Sequence, residues 1–238
     1  MHNLKFEEMK RMMKAALLAG ALLLSLNLQA QQNDDKRTWA NYERYAPANA
    51  QVTTRPTAVF MGNSITDNWA RMHAEFFTEN NYVGRGISGQ VTAQMLARFQ
   101  ADVIALNPKV VTILAGTNDI ARNQQYIDLE NIAQNVYSMC ELAKAHKIKV
   151  IICSVLPANK YGWRPEIGDP SQQIIQLNNM LEAYAKSHKI PYVDFHAAMK
   201  DATNGLPESL SRDGVHPTLE GYAIMEPMIV QAIKKLAK

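Results

Sequence analysis

The chain has 238 residues, 47% of them hydrophobic and 20% charged, with a formal net charge of +3. That composition is ordinary for a globular protein and excludes a disordered tail, a collagen-like fibre and, with only Cys140 and Cys153, a disulfide scaffold. Lys5, Lys10, Arg11 and Lys14 against Glu7 and Glu8 put +2 into the first 30 residues, and the +1 left over gives no electrostatic footprint for nucleic acid or an anionic membrane.

The first segment, residues 1–30, has the order of a secretory signal. A basic run from Lys10 to Lys14 precedes the uncharged, mostly apolar stretch Ala15–Leu28 and a small residue at Ala30. Fourteen residues are too few to span a bilayer as a helix, which takes roughly 20. The expectation is an exported protein, periplasmic or extracellular, with no stable membrane insertion and a mature chain starting near Gln31. Residues 31–56 follow as an N-terminal segment carrying Trp39, Tyr42 and Tyr45, and one folded domain is expected over 57–238.

From Thr57 onward, short apolar runs alternate with longer helical ones. Strands are expected at Ala58–Met61, Tyr82–Gly86, Val110–Leu114, Val150–Cys153 and Pro191–Asp194. Most are continuously apolar, as strands buried on both faces are. Helices are expected at Asn68–Phe77, Val91–Leu106, Asp128–His146, Ser171–Lys189 and Leu219–Lys238, the last kinked or broken at Pro227. Cys140 falls on the helical pattern of Ile132, Val136, Met139 and Leu142, and Cys153 ends a strand, so both read as core thiols. The β-α-β-α order predicts an α/β fold: a three-layer α/β/α sandwich on a five-stranded parallel sheet of flavodoxin-like order. In such sheets ligands bind outside the carboxyl ends of the strands. The loops after Met61, Gly86, Leu114, Cys153 and Asp194 are therefore where chemistry is expected.

Four of the segments beyond the strands hold polar groups of catalytic type. Gly62-Asn63-Ser64-Ile65 follows the first strand, where Ser64 suits a nucleophile and equally an ordinary helix cap. Gly86-Ile87-Ser88-Gly89 follows the second, and its glycines can turn backbone N–H groups toward a ligand. Gly116-Thr117-Asn118-Asp119 follows the third and could project the Asn118 amide over the sheet edge. Asp213-Gly214-Val215-His216 precedes the last helix, with the carboxylate three residues from the imidazole and Thr218 as a helix cap. Taken singly, each is also what a plain turn looks like.

Together, and in this order, the four segments resemble the SGNH (GDSL-type) hydrolases over about Thr57 to the C-terminus. The nearest members are the platelet-activating-factor acetylhydrolase-like enzymes and bacterial carbohydrate acetylesterases. Val59-Phe60-Met61-Gly62, Asn107-Pro108-Lys109-Val110-Val111 and Ser154-Val155-Leu156-Pro157 add to the likeness. The resemblance implies Ser64 as nucleophile, His216 as its base and Asp213 as the group orienting His216. It implies an oxyanion hole from the Ser64 and Gly89 backbone N–H groups and the Asn118 side chain. Asn63 stands where many members carry Asp, outside the triad.

The residue types suit ester cleavage. A serine hydroxyl needs a base to take its proton during attack, an imidazole can return that proton to the leaving alcohol, and a carboxylate fixes the tautomer. No metal and no organic cofactor is expected: His2, His73, His146, His188 and His196 are scattered without ligand spacing, and Gly84–Gly89 lacks a full dinucleotide-binding pattern. Tyr161 and Trp163, in the loop after the fourth strand, could stack on a sugar ring or acyl chain, and Arg164 could meet a carboxylate; all three could equally pack the loop. Trp69, shortly after Ser64, is another candidate wall but reads first as core. The expected partner is a small-molecule or carbohydrate ester carrying a short acyl group, acetyl first. The alternatives are a lysophospholipase or thioesterase for longer chains and a catalytically silent glycan-binding module. The resemblance also allows a homodimer.

Overall fold

The structure, a computed structural model, describes residues 39–237. It divides into two compact units, Met1–Glu43 and Arg44–Lys238, and of the first only residues 39–43 are described. The signal-like stretch at residues 1–30 lies outside the described residues. The second unit holds all five strands of the sheet and the four motif segments.

A short helix α1 (Ala46–Ala50) precedes strand β1 (Ala58–Gly62), which feeds α2 (Ser64–Met72), α3 (Ala74–Glu79) and β2 (Tyr82–Gly86). Helix α4 (Thr92–Asp102) and a 3-10 turn (Ile104–Leu106) lead to β3 (Val110–Leu114) and the one-turn α5 (Thr117–Ile120). Then come α6 (Leu129–Ala145), β4 (Lys149–Cys153), a 3-10 turn (Pro165–Ile167), α7 (Ser171–Ser187), β5 (Tyr192–Val193), α8 (Phe195–Met199) and α9 (Leu219–Leu236).

The five strands pair in the order β2-β1-β3-β4-β5, all parallel, which is the flavodoxin-like order. Alternate residues of each central strand feed two separate cores. Val59 and Met61 of β1, Val111 and Ile113 of β3, and Val150 and Ile152 of β4 pack with α4, α6 and α7 on one face. Ala58 and Phe60, Val110 and Leu114, and Ile151 and Cys153 pack with α2, α3, α8 and α9 on the other. Burying both faces is why these strands read as unbroken apolar runs, and each fully buried aliphatic or aromatic side chain contributes about 1.5–3 kcal/mol. Cys140 and Cys153 are buried free thiols in these cores. Trp69 is core as well, stacked on Tyr222 and Phe76.

Several element boundaries differ from the sequence pattern, for identifiable reasons. The helix expected from Asn68 begins four residues earlier, at Ser64, and is two helices broken at His73. Asn63 is its cap, its side chain accepting from the Ile65 N–H at 3.0 Å, so Ser64 is the first helical residue and not the cap. The helix expected over Val91–Leu106 stops at Asp102, and the chain leaves the following 3-10 turn through Asn107 in the left-handed region. Helix α9 runs continuously through Pro227, with Thr218 as its cap. β5 is only two residues long.

The register puts the first three motif loops side by side. Gly62 at the end of β1 is level with Gly86 of β2 and with Leu114 of β3, so their loops leave the sheet on one rung. The chain order reverses between β1 and β3, the place where an open α/β sheet leaves a crevice. The rung is tight: a Cβ on Gly86 would sit 2.2 Å from the Asp67 backbone nitrogen, so only glycine lets β2 pass the start of α2.

Candidate active site

The segment before α9 is folded around one carboxylate. Asp213 Oδ1 accepts from the Val215 N–H at 2.9 Å, the His216 N–H at 2.8 Å and the Ser211 hydroxyl at 3.1 Å. Ser211 Oγ in turn accepts from the Gly214 N–H, and Ser211 bridges to Pro217 across the base of the loop. With Oδ1 saturated, Oδ2 is left to face the imidazole, 2.7 Å from His216 Nδ1. Partial burial would raise the Asp213 carboxyl, but the His216 amide and ring and the Val215 amide outweigh it and hold it down to about 2. A carboxylate only accepts, so Nδ1 carries the ring proton and Nε2 presents its lone pair. That lone pair lies 2.8 Å from Ser64 Oγ, whose hydroxyl donates to it across 152 residues of sequence.

Ser64 occupies the first turn of α2, whose leading N–H groups have no acceptor inside the helix. The Asn63 side chain takes one of them, at Ile65. Beside it, Gly89 is exposed with φ +80 and open space where a Cβ would be. Asn118, almost fully buried on α5, donates one amide proton to the Gln90 carbonyl at 2.9 Å. Its position is fixed from behind by Asp119, whose two oxygens accept the Thr92 N–H at 3.0 Å and whose Oδ1 accepts the Thr92 hydroxyl at 2.6 Å. The arrangement can pass a proton from the Ser64 hydroxyl to the His216 imidazole.

Asp119 carries a pH signature. Burial pushes its carboxyl up to about 6 against the pull of the Thr92 donors. A folded-state value above the unfolded one means the folded chain holds that proton more tightly, so the term loses stability as pH rises through the interval and levels off above it. Relative to Asp119→Asn, wild-type unfolding free energy should fall by about 2 kcal/mol between pH 4.5 and 7, read by urea titration of both proteins. A pH-independent difference would contradict it.

The loop after β4 divides its three candidates. Trp163 is 41% exposed, its ring centroid 6.4 Å from that of His216. It is held by Nε1 donating to Asn123 Oδ1 at 2.8 Å, while the Asn123 amide donates to the Gly89 carbonyl. Tyr161, by contrast, is 1% exposed and stands behind Trp163 at 5.1 Å, so a ligand cannot stack on it. That corrects its expected place in the pocket: the loop turns its two rings to opposite environments. Arg164 donates to the Arg122 carbonyl at 3.2 Å and pairs with Glu166 at 3.4 Å, which anchors the loop.

Sequence reasoning passed over Asn123, Gln90, Thr92 and Arg98. For Arg98 a signal was there: Met95, Arg98, Phe99 and Asp102 share the inward face of α4. On the other side of His216, a groove of about 480 Å³ runs between α2 and the 212–220 segment. Asn68 and Met72 continue the Ser64 face of α2 at four-residue spacing, and Arg212, Leu219 and Glu220 form the opposite wall. Among the described residues no group of three His, Cys, Asp or Glu side chains could hold a metal ion.

Comparison with known proteins bears on the family and the fold. The GDSL-like lipase/acylhydrolase family profile matches residues 53–224. The crystal structure of a GDSL-like lipase from Bacteroides thetaiotaomicron aligns with a TM-score of 0.81 at 50% identity, covering 83% of this chain and 99% of that one. Esterase TesA of Pseudomonas aeruginosa is 27% identical over 212 residues, 87% of this chain and 91% of the esterase. An acetylxylan esterase of Geobacillus stearothermophilus is 24% identical over 155 residues, 63% of this chain and 71% of that one.

Proposed function

The chain belongs to the GDSL-like lipase/acylhydrolase family, and from that premise we propose that it is an exported serine esterase removing a short acyl group, acetyl first, from a carbohydrate. The observation that carries the proposal is the unbroken relay from Ser64 Oγ to His216 Nε2 at 2.8 Å and from His216 Nδ1 to Asp213 Oδ2 at 2.7 Å.

In this reading Ser64 Oγ attacks the acyl carbon as His216 takes its proton. The carbonyl oxygen of the ester becomes an oxyanion met by the Ser64 and Gly89 N–H groups and the second amide proton of Asn118. Each such donor lowers the barrier by about 2.7–4 kcal/mol, and the N-terminus of α2 adds its partial positive charge. His216 then protonates the leaving alcohol, and the carbonyl re-forms as an acyl-enzyme. Water, deprotonated by the same imidazole, releases the acid and restores Ser64. Asp213 stays ionised throughout and stabilises the imidazolium.

The walls support a division of the substrate. Trp163, pinned through Asn123 to the Gly89 loop and near His216, would in this reading wall off a long acyl chain. The groove beside His216 is where the protonated alcohol would leave, and its mixed lining of Asn68, Arg212, Glu220, Met72 and Leu219 suits a sugar's hydroxyls and apolar faces. The likeness to an acetylxylan esterase points the same way. Export rests on the residues 1–30 pattern; among the described residues no helix is long and apolar enough to cross a membrane.

The second reading, a preference for longer acyl chains, draws on the exposed apolar side chains of Met72 and Leu219 in the same groove. A series of p-nitrophenyl esters from acetyl to decanoyl separates the two, alongside acetate release from acetylated xylooligosaccharides. We expect kcat/KM to fall at least about tenfold from acetyl to octanoyl, roughly the discrimination available to a wall that excludes methylenes. Trp163→Ala should flatten that slope. A rising profile in the wild type would hand the site to the long-chain reading.

A further inference from the structure

Resting on the serine-esterase reading, we propose that Arg98 is a positioning residue that clamps the loops carrying Ser64, Gly89 and Asn118 into one geometry. Its side chain is fully buried, and three of its donors are committed. Nη2 donates to the Gly62 carbonyl at 3.0 Å, two residues before Ser64. Nε donates to Gln90 Oε1 at 2.6 Å, one residue beyond Gly89. The Gln90 carbonyl accepts the Asn118 amide, so the third loop is joined through the same residue. The Gly62 carbonyl also accepts the Ile87 N–H, which closes the ring between the first two loops.

The clamp has its own support. Arg98 Nη1 pairs with buried Asp102 at 2.8 Å, and Asp102 Oδ1 accepts from Asn49 Nδ2 at 2.7 Å. Asn49 Oδ1 takes Arg85 Nε at 2.8 Å, and the Arg85 guanidinium lies over the Tyr45 ring. Tyr45 then donates to the Gly86 carbonyl, where the Gly89 loop begins. Residues 45–49 therefore buttress the loop from outside the sheet.

A buried ion pair is weak evidence for stability, because apolar residues of similar volume often serve as well or better. Packing alone would not call for arginine at position 98. What an apolar residue cannot do is hold the Gly62 carbonyl and the Gln90 side chain at a set distance. Lysine cannot either, since three acceptors in different directions need the rigid fork of a guanidinium.

Two variants test this: Arg98→Lys, and the double variant Arg98→Met with Asp102→Leu, which removes both buried charges together. On p-nitrophenyl acetate, kcat should fall about 10- to 100-fold with KM within about threefold, because the misplaced donors act on the oxyanion and not on the bound ester. Inactivation by diethyl p-nitrophenyl phosphate, whose phosphoryl oxygen uses the same donors, should slow in parallel. The double variant should do this while still folded, its melting temperature lowered by the loss of partners at Gly62, Gln90 and Asn49. A purely structural role would move the melting temperature and leave kcat alone. Gln90→Met, which deletes one acceptor and keeps the ion pair, should lower kcat about three- to tenfold and serves if the buried variants do not fold. A folded variant with wild-type kcat overturns the clamp. Undiminished activity in Ser64→Ala would overturn the esterase reading itself, whatever Arg98 variants do.

Discussion

Ser64→Ala should lower kcat/KM for acetyl esters by about 10⁴–10⁶-fold, or roughly 5–8 kcal/mol of transition-state stabilisation. The size reflects the loss of the oxygen 2.8 Å from His216 Nε2 in the relay, and with it the acyl-enzyme route. Any residual rate would come from N–H donors still in place. Folding should be untouched. Ser64 is the first residue of α2, the cap is Asn63, and alanine is the better helix former. Steady-state rates with both proteins, together with matching melting temperatures, check this. Wild-type turnover in a folded Ser64→Ala would remove Ser64 from the mechanism.

Asp213→Asn should cost about 10³–10⁴-fold although it changes one atom. The three donors on Oδ1 decide the outcome. The His216 and Val215 N–H groups and the Ser211 hydroxyl would hold the amide oxygen of an asparagine in that place. Its NH₂ group must then face His216 Nδ1, which has to become an acceptor. The ring proton moves to Nε2 and points at Ser64, so the base is lost while the geometry stays. Kinetics should therefore show a collapse in kcat with little change in fold or in KM. A loss below about tenfold would mean that the carboxylate charge, more than half exposed at its side chain, contributes little to holding the tautomer.

Much of this architecture is visible in the sequence because the physics there is local. β1, β3 and β4 are buried on both faces, so their runs are almost wholly apolar and unmistakable. Ser64, Asn118, Asp213 and His216 stand out because polar residues of catalytic type gather in loops beside elements that end in the core. Where the sequence reading failed, the cause was non-local. Helix α2 begins before Asn68, which the sequence hides because Ser64, Thr66 and Asp67 look like a loop until the Asn63 cap and the rung against Gly86 are in place. Tyr161 and Trp163 are two residues apart in an irregular loop, and no periodicity says which ring faces the core. Arg98 and Asp102, spaced i,i+4, look like a solvated pair when taken alone; Met95 and Phe99 mark their face as inward, and the fold supplies the non-local partners of Arg98, the Gly62 carbonyl and the Gln90 side chain.

The central claim is that Ser64 carries the acyl group, and covalent labelling tests it most directly. The protein would be treated with diethyl p-nitrophenyl phosphate until activity is gone, and the modified peptide mapped by mass spectrometry. One diethylphosphoryl group per chain is expected, on Ser64, with none taken up by Ser64→Ala. A label on any other residue, or full activity in a protein labelled at Ser64, would contradict it.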